Sequence, residues 1–507
     1  MIGRFAAFVG LSLWLPFAQG GDVAGRDCRA ASKEIILDED NDHFFKYPSN
    51  QMTVARLEAY VDQIAAGGKV TRINWCPTGG RASFDSKTWE PIWTGLKERP
   101  LKDIYWRYRD WAVNAKILND KGIDPYAVFL RRSREKGISP WISPRMNDCH
   151  DAAQGVVDKR RFFRSISLWR ERPDLRFYPD YKKPSWGHHK LNYAKAEVRE
   201  NAMEMIRELF ERYDFDGINL QKGPYFPKEI AVESTPIFTA FMRDIRRLCD
   251  EWGKRRGHRI GITLGDGGRT IADFVAQGID IVTLANERIL DGVIGVSDFA
   301  AWRRQIANPD FRLYATTSAI IPGPGKRPDG RSLMMTVTAA MHRARADCAW
   351  AAGADGIMTY NVEYQPDDFF QVCRYGLAPE DLAKHSRVTV GRVKNGGTLT
   401  NGLAVVFTCG ATTNGQVSAV LGFKDKWAWG LEAKLNGIPA LFEDDSHLMH
   451  DLYCENREGC PFVMSVDKQA RRLFFPEGTA KPGLNVLEVA PVETDAVVDM
   501  AELRLEP

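Results

Sequence analysis

The chain has almost no imbalance of charge. Its 69 Lys and Arg face 66 Asp and Glu, a formal net charge of +3 over 507 residues. It therefore lacks the basic excess that non-specific nucleic-acid binding needs. It also lacks an apolar run of the ~20 residues that a membrane-spanning helix takes, so no membrane anchor is expected. Cysteine is sparse and odd in number, nine in all. Only Cys454 and Cys460, in CENREGC, are close enough in sequence to close a small disulfide loop in an oxidising compartment. No second pair or nearby His set accompanies them, as a zinc site requires, and the remaining cysteines read as small buried hydrophobes. Gly265, Gly267 and Gly268 in LGDGG fit neither nucleotide fingerprint. No cofactor and no metal is expected. Tandem repeats and low-complexity segments are missing too.

With 44% hydrophobic and 27% charged residues, the chain is not broadly disordered. Its start reads as a secretory signal over residues 1–20. Arg4 supplies the positive end, residues 5–17 are uncharged and rich in Phe, Leu, Ala and Val, and Ala18 and Gly20 put small residues at the cleavage positions. No Leu-x-x-Cys lipidation pattern precedes Cys28. A soluble exported protein, secreted or periplasmic, is expected, with cleavage near Gly20.

Short β-rich runs then alternate with helical stretches. The runs are 34–37, 70–75, 139–143, 215–220, 259–264, a sixth, 312–317 and 356–360. For the sixth, 279–284 and 292–296 both look like strands. Residues 194–213 carry Met203, Ile206, Leu209 and Phe210 at helical spacing, and 238–252 and 333–352 read the same way. Eight strands each followed by a helix imply a (β/α)8 barrel over residues 34–381, with its functional face at the carboxyl ends of the strands. After Lys384 the helical period stops. Strands at 388–393, 403–409, 416–422, 429–435 and 484–489, punctuated by NGG and TNG turns, suggest a jelly-roll-like β-sandwich over residues 388–507. The two parts should be separable, with a boundary near 382–387.

Eight of the 14 Trp lie between residues 75 and 186. YWRYRDW at 105–111 falls in a long connection after the second strand. Rings flanked by charged hydrogen-bonders suit the flat C–H faces and hydroxyl rims of sugars, so Trp75, Trp106 and Trp111 are candidate glycan contacts. The alternative is ordinary packing. The first strand ends in DEDNDHF, where Asp38, Asp40 and His43 could hydrogen-bond a substrate. The calcium-loop Gly and terminal Glu are absent there. The third strand runs into SPRMNDCH. Arg145 and Asn147 should project to one side of it, with Asp148 and His150 opening the loop. A carboxylate near a His in a recess can have its pKa moved toward working pH. Asn361 and Glu363 follow the eighth strand, and Asp266 the fifth.

Three segments together carry a resemblance: GIDPYAVFLRRSREKGISPWISPRMNDCH, LNYAKAEVRENAMEMIRELFERYDFDGINLQKGPYF and AAGADGIMTYN. They resemble the bacterial glycosyl-hydrolase-like (β/α)8 family, often labelled family-10-like, over roughly residues 34–381. The β-rich tail is similar to the accessory sandwich of such proteins. The resemblance implies an extracellular carbohydrate-active protein and favours 292–296 as the sixth strand, with 281–290 helical. One departure stands out. Relatives read like DGIELDWMR on the fourth strand, whereas this chain has Asp216-Gly217-Ile218-Asn219-Leu220-Gln221-Lys222. Two expected acids are amides, which hydrogen-bond but do not titrate near neutrality.

The expectation is a secreted glycoside hydrolase acting on a polysaccharide or oligosaccharide. Asp148 and Glu363 would be acid and nucleophile or base, and Asp266 the substitute. Asp38, Asp40, His43, Arg145, Asn147, His150, Asn219, Gln221 and Asn361 would position the sugar. The alternative is a non-catalytic glycan-binding protein on a glycosidase-like barrel. A barrel hydrolase of phosphates or amides ranks last, for want of a dense His/Asp metal set.

Overall fold

A computed structural model describes residues 33–40, 42–97, 100–104, 106–149, 166–180, 187–221, 223–326, 332–360, 366–393, 397–411, 414–453 and 463–507. The expected signal segment, His150, Asn361, Glu363, Cys454 and Cys460 lie outside the described residues, as do the side chains of Trp106 and Asp266. Among the described residues, no helix is long and apolar enough to cross a membrane.

Eight parallel strands form the barrel: β1 (Glu34–Glu39), β2 (Arg72–Trp75), β3 (Ser139–Ile142), β4 (Gly217–Gln221), β5 (Gly261–Arg269), β6 (Gly292–Val296), β7 (Arg312–Ser318) and β8 (Gly356–Tyr360). They close in the order β1-β8-β7-β6-β5-β4-β3-β2, so each strand pairs with its neighbours in sequence. Among the helices between them are α1 (Val54–Ala65), α2 (Trp106–Asp120), α3 (Pro125–Glu135), α4 (Ala196–Arg212), α5 (Thr235–Arg256), α6 (Ile281–Asn286), α7 (Phe299–Gln305) and α8 (Ala339–Ala351). This is the (β/α)8 fold that the alternation of periods implies.

Local chemistry explains several boundaries. Asp124 caps α3 by accepting from the Tyr126 and Ala127 amides, with Pro125 in the first turn. In α4 the apolar residues Val198, Ala202, Met203, Met205, Ile206, Leu209 and Phe210 are buried, and Glu208 is buried with them. The glycines opening β4 and β5 make room for one ring. A Cβ on Gly217 would stand 2.4 Å from Trp141, and one on Gly261 would stand 2.5 Å from it. The Arg72 guanidinium also lies over that indole, 3.3 Å from its centroid. Asp216 braces the entry to β4. It accepts from Ser139 Oγ at 2.7 Å and pairs with Arg134 at 2.6 Å.

The sixth strand is Gly292–Val296, as the resemblance favours, and Ile281–Asn286 is helical. Other boundaries differ from the sequence reading. LGDGG continues β5 to Arg269 instead of opening a loop. Residues 106–111 do not stay a connection, because they form the start of α2. Residues 332–336 are a strand, not the start of a helix; α8 begins after Thr338, whose Oγ1 caps the Met341 amide.

Residue contacts divide the described chain into two units, Ile36–Thr316 and Thr317–Pro507. The second unit contains two antiparallel sheets. One has seven strands in the order Ile320–Lys326, Ser332–Thr336, Phe442–Tyr453, Val463–Phe475, Gln416–Phe423, Val498–Glu506, Arg387–Val390. The other has five, in the order Arg392–Val393, Leu403–Cys409, Gly483–Val489, Ala433–Leu435, Ile438–Pro439. Alternate apolar residues from both, including Val405, Phe407, Val417, Leu421, Leu473, Leu487 and Leu503, meet in one core, as a sandwich requires. A second cluster joins Val420, Leu448 and Met500 to Ile321, Met335 and Met341. The hairpin after β7 and helix α8 therefore pack with the sheet of the tail.

Candidate functional site

The interior of the barrel is polar. Parallel register sets Asp38 of β1 opposite Asn74 of β2, and Asn219 of β4 opposite Thr263 of β5. Side chains two residues apart on a strand share a face, so these inward positions stack in layers. Arg72 donates to Asn74 Oδ1 at 2.8 Å and to Thr263 Oγ1 at 2.9 Å. Thr263 donates to Asn219 Oδ1 at 2.9 Å, and Asn219 Nδ2 donates to Ser143 Oγ at 3.0 Å. Gln221 Nε2 donates to both Ser143 Oγ, at 2.8 Å, and Asp38 Oδ1, at 2.7 Å. Asn74 Nδ2 adds a longer bond of 3.3 Å to the same carboxylate oxygen. All of these residues are buried. A buried polar chain is tolerated when its members find partners, and this one runs from Arg72 through to Asp38.

Asp38 is the titratable end of that chain. Burial pushes its carboxyl up to about 6, and the negative charge of Asp40 adds to the rise; the bonds from Gln221 and Asn74 and the charge of Arg145 pull the other way. Asp38 lies inside β1, which runs two residues beyond the expected 34–37.

Above this chain sits Arg145. Pro144 breaks the alternation of β3, which ends at Ile142, and Arg145 then bridges to Gln221. Its guanidinium holds Asp40 at 2.5 Å and Asp148 at 3.0 Å, with all three side chains largely buried. Asn147 does not share that surroundings. Its amide donates to the carbonyls of Leu191 and Pro224, each at 2.9 Å, and its oxygen accepts from the Leu191 amide at 2.9 Å. It pins two loops, and those three bonds all go to backbone. His43 is held between Glu39, 3.4 Å away, and Asp42, 3.8 Å away. Donor atoms of Asp40, Asp42 and His43 lie within 4.8 Å of one another. That set has the chemistry of a cation site, but Arg145 and Lys46 already pair with its two acids.

The tryptophans are placed differently from the expectation of glycan-facing rings. Trp75 stacks on Phe129 at 4.3 Å with the planes 3° apart, and its Nε1 donates to Ser133. Trp111 is 1% exposed and donates to Ser83 Oγ at 3.0 Å. Its position on α2, inside a helix, turns the ring into the protein. Trp89 and Trp169 are buried as well, bonded to Asn201 and to the His189 carbonyl.

The structure therefore brings Asp38, Asp40, Arg145, Asp148, Asn219 and Gln221 to one end of the barrel, and it sends Asn147, Trp75 and Trp111 into packing. Sequence reasoning missed Arg72, Asn74, Ser143 and Thr263. Polar residues at alternate positions of otherwise apolar strands, as in RINW and GITL, were the available signal.

The hydrolase expectation is corrected by the fourth strand. Positions 219 and 221 carry amides where the chemistry of such a barrel needs acids. Their amide groups are engaged with Ser143, Thr263 and Asp38. An amide neither protonates a leaving oxygen nor activates water at neutral pH. Asp148, the expected acid, is instead ion-paired with Arg145.

No protein-family model and no curated protein matches the chain. Among solved structures it is similar to an α-L-fucosidase of Paenibacillus thiaminolyticus, at 13% identity and TM-score 0.41, covering 69% of this chain and 49% of that one. A chitinase of a Paenibacillus species gives 10% identity, TM-score 0.40, and coverage of 94% and 56%. A maltogenic α-amylase of Thermotoga neapolitana gives 11%, 0.38, and coverage of 94% and 99%. This chain thus spans about half the length of the first two. At these identities and scores, none of the likenesses bears on what the chain does, and none ties it to the family-10-like group.

Proposed function

We propose that this chain is a non-catalytic glycan-binding protein built on a glycosidase-like barrel, exported by the signal-like segment at residues 1–20. One observation carries the reading: Asn219 and Gln221 occupy the fourth-strand positions and are bound into a buried network of hydrogen bonds. The network keeps the polar floor of such a site without the acids of the fourth strand. Above that floor, Asp40, Asp148 and Arg145 form a compact group of donors and acceptors. Sugar hydroxyls both donate and accept, and a fixed acid–guanidinium array offers partners for both roles. The strand-end motifs that resemble those of family-10-like proteins agree with a carbohydrate ligand.

The test pairs binding with turnover. The purified protein is run against a panel of polysaccharides in affinity gels, and the same mixtures are assayed for reducing ends after long incubation. Retention without release is the expected result. Asp40→Ala should weaken retention by about 1–3 kcal/mol if a charged hydrogen bond to sugar is lost. Release of reducing ends by the purified wild type, lost in Asp148→Asn, would overturn the reading.

A further inference from the structure

The sandwich exposes two tryptophans on a turn that is held rigid from beneath. Trp427 is 44% exposed and Trp429 is 58% exposed, in the loop after Gln416–Phe423. Large rings left in water usually mark a contact surface when they cluster. Here the cluster is organised by a buried arginine. Arg471 is 1% exposed, and its guanidinium lies 3.3 Å from the Trp429 centroid and 5.2 Å from that of Trp427. Its Nε donates to the carbonyl of Ala428, the residue between the two rings, at 3.2 Å. Glu443 stands 3.4 Å from the same nitrogen and also accepts from the Leu431 amide at 2.8 Å. The turn is thus tied at Ala428 and at Leu431. The indoles sit 6.5 Å apart at 69° to each other.

We infer that this turn is a second binding site, on the sandwich, for a neutral polysaccharide, with Trp429 as the stacking platform and Trp427 as the side wall. Arg471 covers one face of Trp429, so its exposed area is the remaining face and edges. An aromatic face held in place loses little entropy on binding and matches the C–H face of a pyranose. Beside it, Trp427 lines a recess of about 560 Å³ together with Lys424, Asp425, Lys426, Lys468 and Gln469. These give the hydrogen bonds that a sugar rim requires.

The charge pattern selects the ligand class. Lys424 lies 4.0 Å from Asp425, Lys426 pairs with Asp495, Lys468 with Asp499, and Arg471 with Glu443 and Asp445. The cations around the recess are neutralised by neighbouring acids, so an anionic chain would meet as much repulsion as attraction. A neutral glycan pays no such penalty. The site is distinct from the barrel site and does not depend on it.

The experiment uses the full chain in affinity gels containing β-glucan, xylan, galactomannan or pullulan, with alginate as the anionic counterpart. Wild type, Trp429→Ala, Asp40→Ala and the double variant are compared. Trp429→Ala should lower affinity for at least one neutral polysaccharide about tenfold, in the wild-type background and in the Asp40→Ala background alike. Loss through Trp429→Ala with no effect of Asp40→Ala supports this site and removes the barrel reading. The reverse pattern overturns this site alone. Retention of no neutral polysaccharide overturns it too, as does a Trp429-dependent preference for alginate. Sedimentation velocity covers the remaining occupant. Concentration-dependent dimers abolished by Trp429→Ala would make the patch a contact between copies of the chain and overturn the proposal.

Discussion

Tryptophans in the first contact unit and in the sandwich do opposite things. Trp75, Trp89, Trp111 and Trp169 are buried, and each ring N–H is bonded to protein. Trp427 and Trp429 lie in water with an arginine under them. Ring count therefore says little about ligand contact. Where the N–H points, and what lies on each face, decides it. The polar groups invert the pattern. In the barrel the amides and hydroxyls are buried and bonded to each other, whereas on the sandwich Lys424 and Lys426 beside Trp427 are exposed. Under the two proposals, ligand recognition would fall to polar groups in the barrel and to rings on the sandwich.

The largest test asks whether these two regions can be parted at all. The change of texture after Lys384 suggests separable parts, but Met334 and Met335 of Ser332–Thr336 pair with Tyr453 and Leu452. Arg387 also pairs with Asp347 of α8 at 2.5 Å, both side chains largely buried. A chain ended at Lys384 loses those partners and uncovers Met335 and Met341. It should be insoluble, or give a broad non-cooperative melt by circular dichroism. A soluble chain with a sharp transition would show that the hairpin and α8 stand without the sandwich.

Next comes Trp111→Ala. It removes a fully buried ring and the bond to Ser83 Oγ. Truncations of this kind cost about 3–5 kcal/mol, read as a lower urea midpoint. Affinity per folded molecule should not change. If Trp111→Ala keeps wild-type stability and loses glycan affinity, the ring contacts ligand and the contrast between the two regions fails.

Asp38→Asn follows. The carboxyl of Asp38 is displaced upward from 3.8 to about 6, so the native state binds its proton more tightly than the unfolded chain does. The stability from that proton is fully present below the ordinary carboxylate pKa and is lost as pH rises through about 6. Two pKa units correspond to about 3 kcal/mol. Wild-type stability minus that of Asp38→Asn should fall by roughly this amount between pH ~4 and pH ~7 and stay level above it. A difference curve that is flat throughout means that Asp38 reaches solvent and the barrel floor is not closed.

Much of the fold was legible because the strands of a barrel recur with their helices in sequence order. Gly217 and Gly261 open β4 and β5 at the level of Trp141, and Gly292–Val296 emerged as the sixth strand once the family resemblance was weighed. Strands fixed by distant partners were not legible. Residues 332–336 pair with Phe442–Tyr453, whose EDDS segment has low β propensity and was not read as a strand. The candidate site was half legible. Asp38, Asp40, Arg145, Asp148, Asn219 and Gln221 could be named from strand ends. Burial of Asp38 and the backbone duties of Asn147 depend on loops that meet only in three dimensions. The Trp-Ala-Trp turn at 427–429 carried a readable signal, two rings beside Lys424 and Lys426, but nothing in the sequence told which rings were exposed.

The smallest expected effect is the one on which the contrast rests. Trp429→Ala should change stability by no more than about 0.5 kcal/mol, as surface substitutions usually do. Two terms oppose each other there. Removing the indole takes away its stacking on Arg471, a contact of about 0.5–2 kcal/mol for an exposed ring on a buried guanidinium. It also opens a guanidinium that is 1% exposed to water, and hydration of that charge offsets part of the loss. The anchors that hold the turn, from Arg471 to the Ala428 carbonyl and from Leu431 to Glu443, do not involve the ring. An urea midpoint within error of wild type, together with the tenfold loss of polysaccharide affinity, would separate this tryptophan from Trp111 in function as well as in position. A loss of more than about 2 kcal/mol would place Trp429 with the packed rings of the first unit, since a cost of that size belongs to buried aromatics and not to an exposed platform.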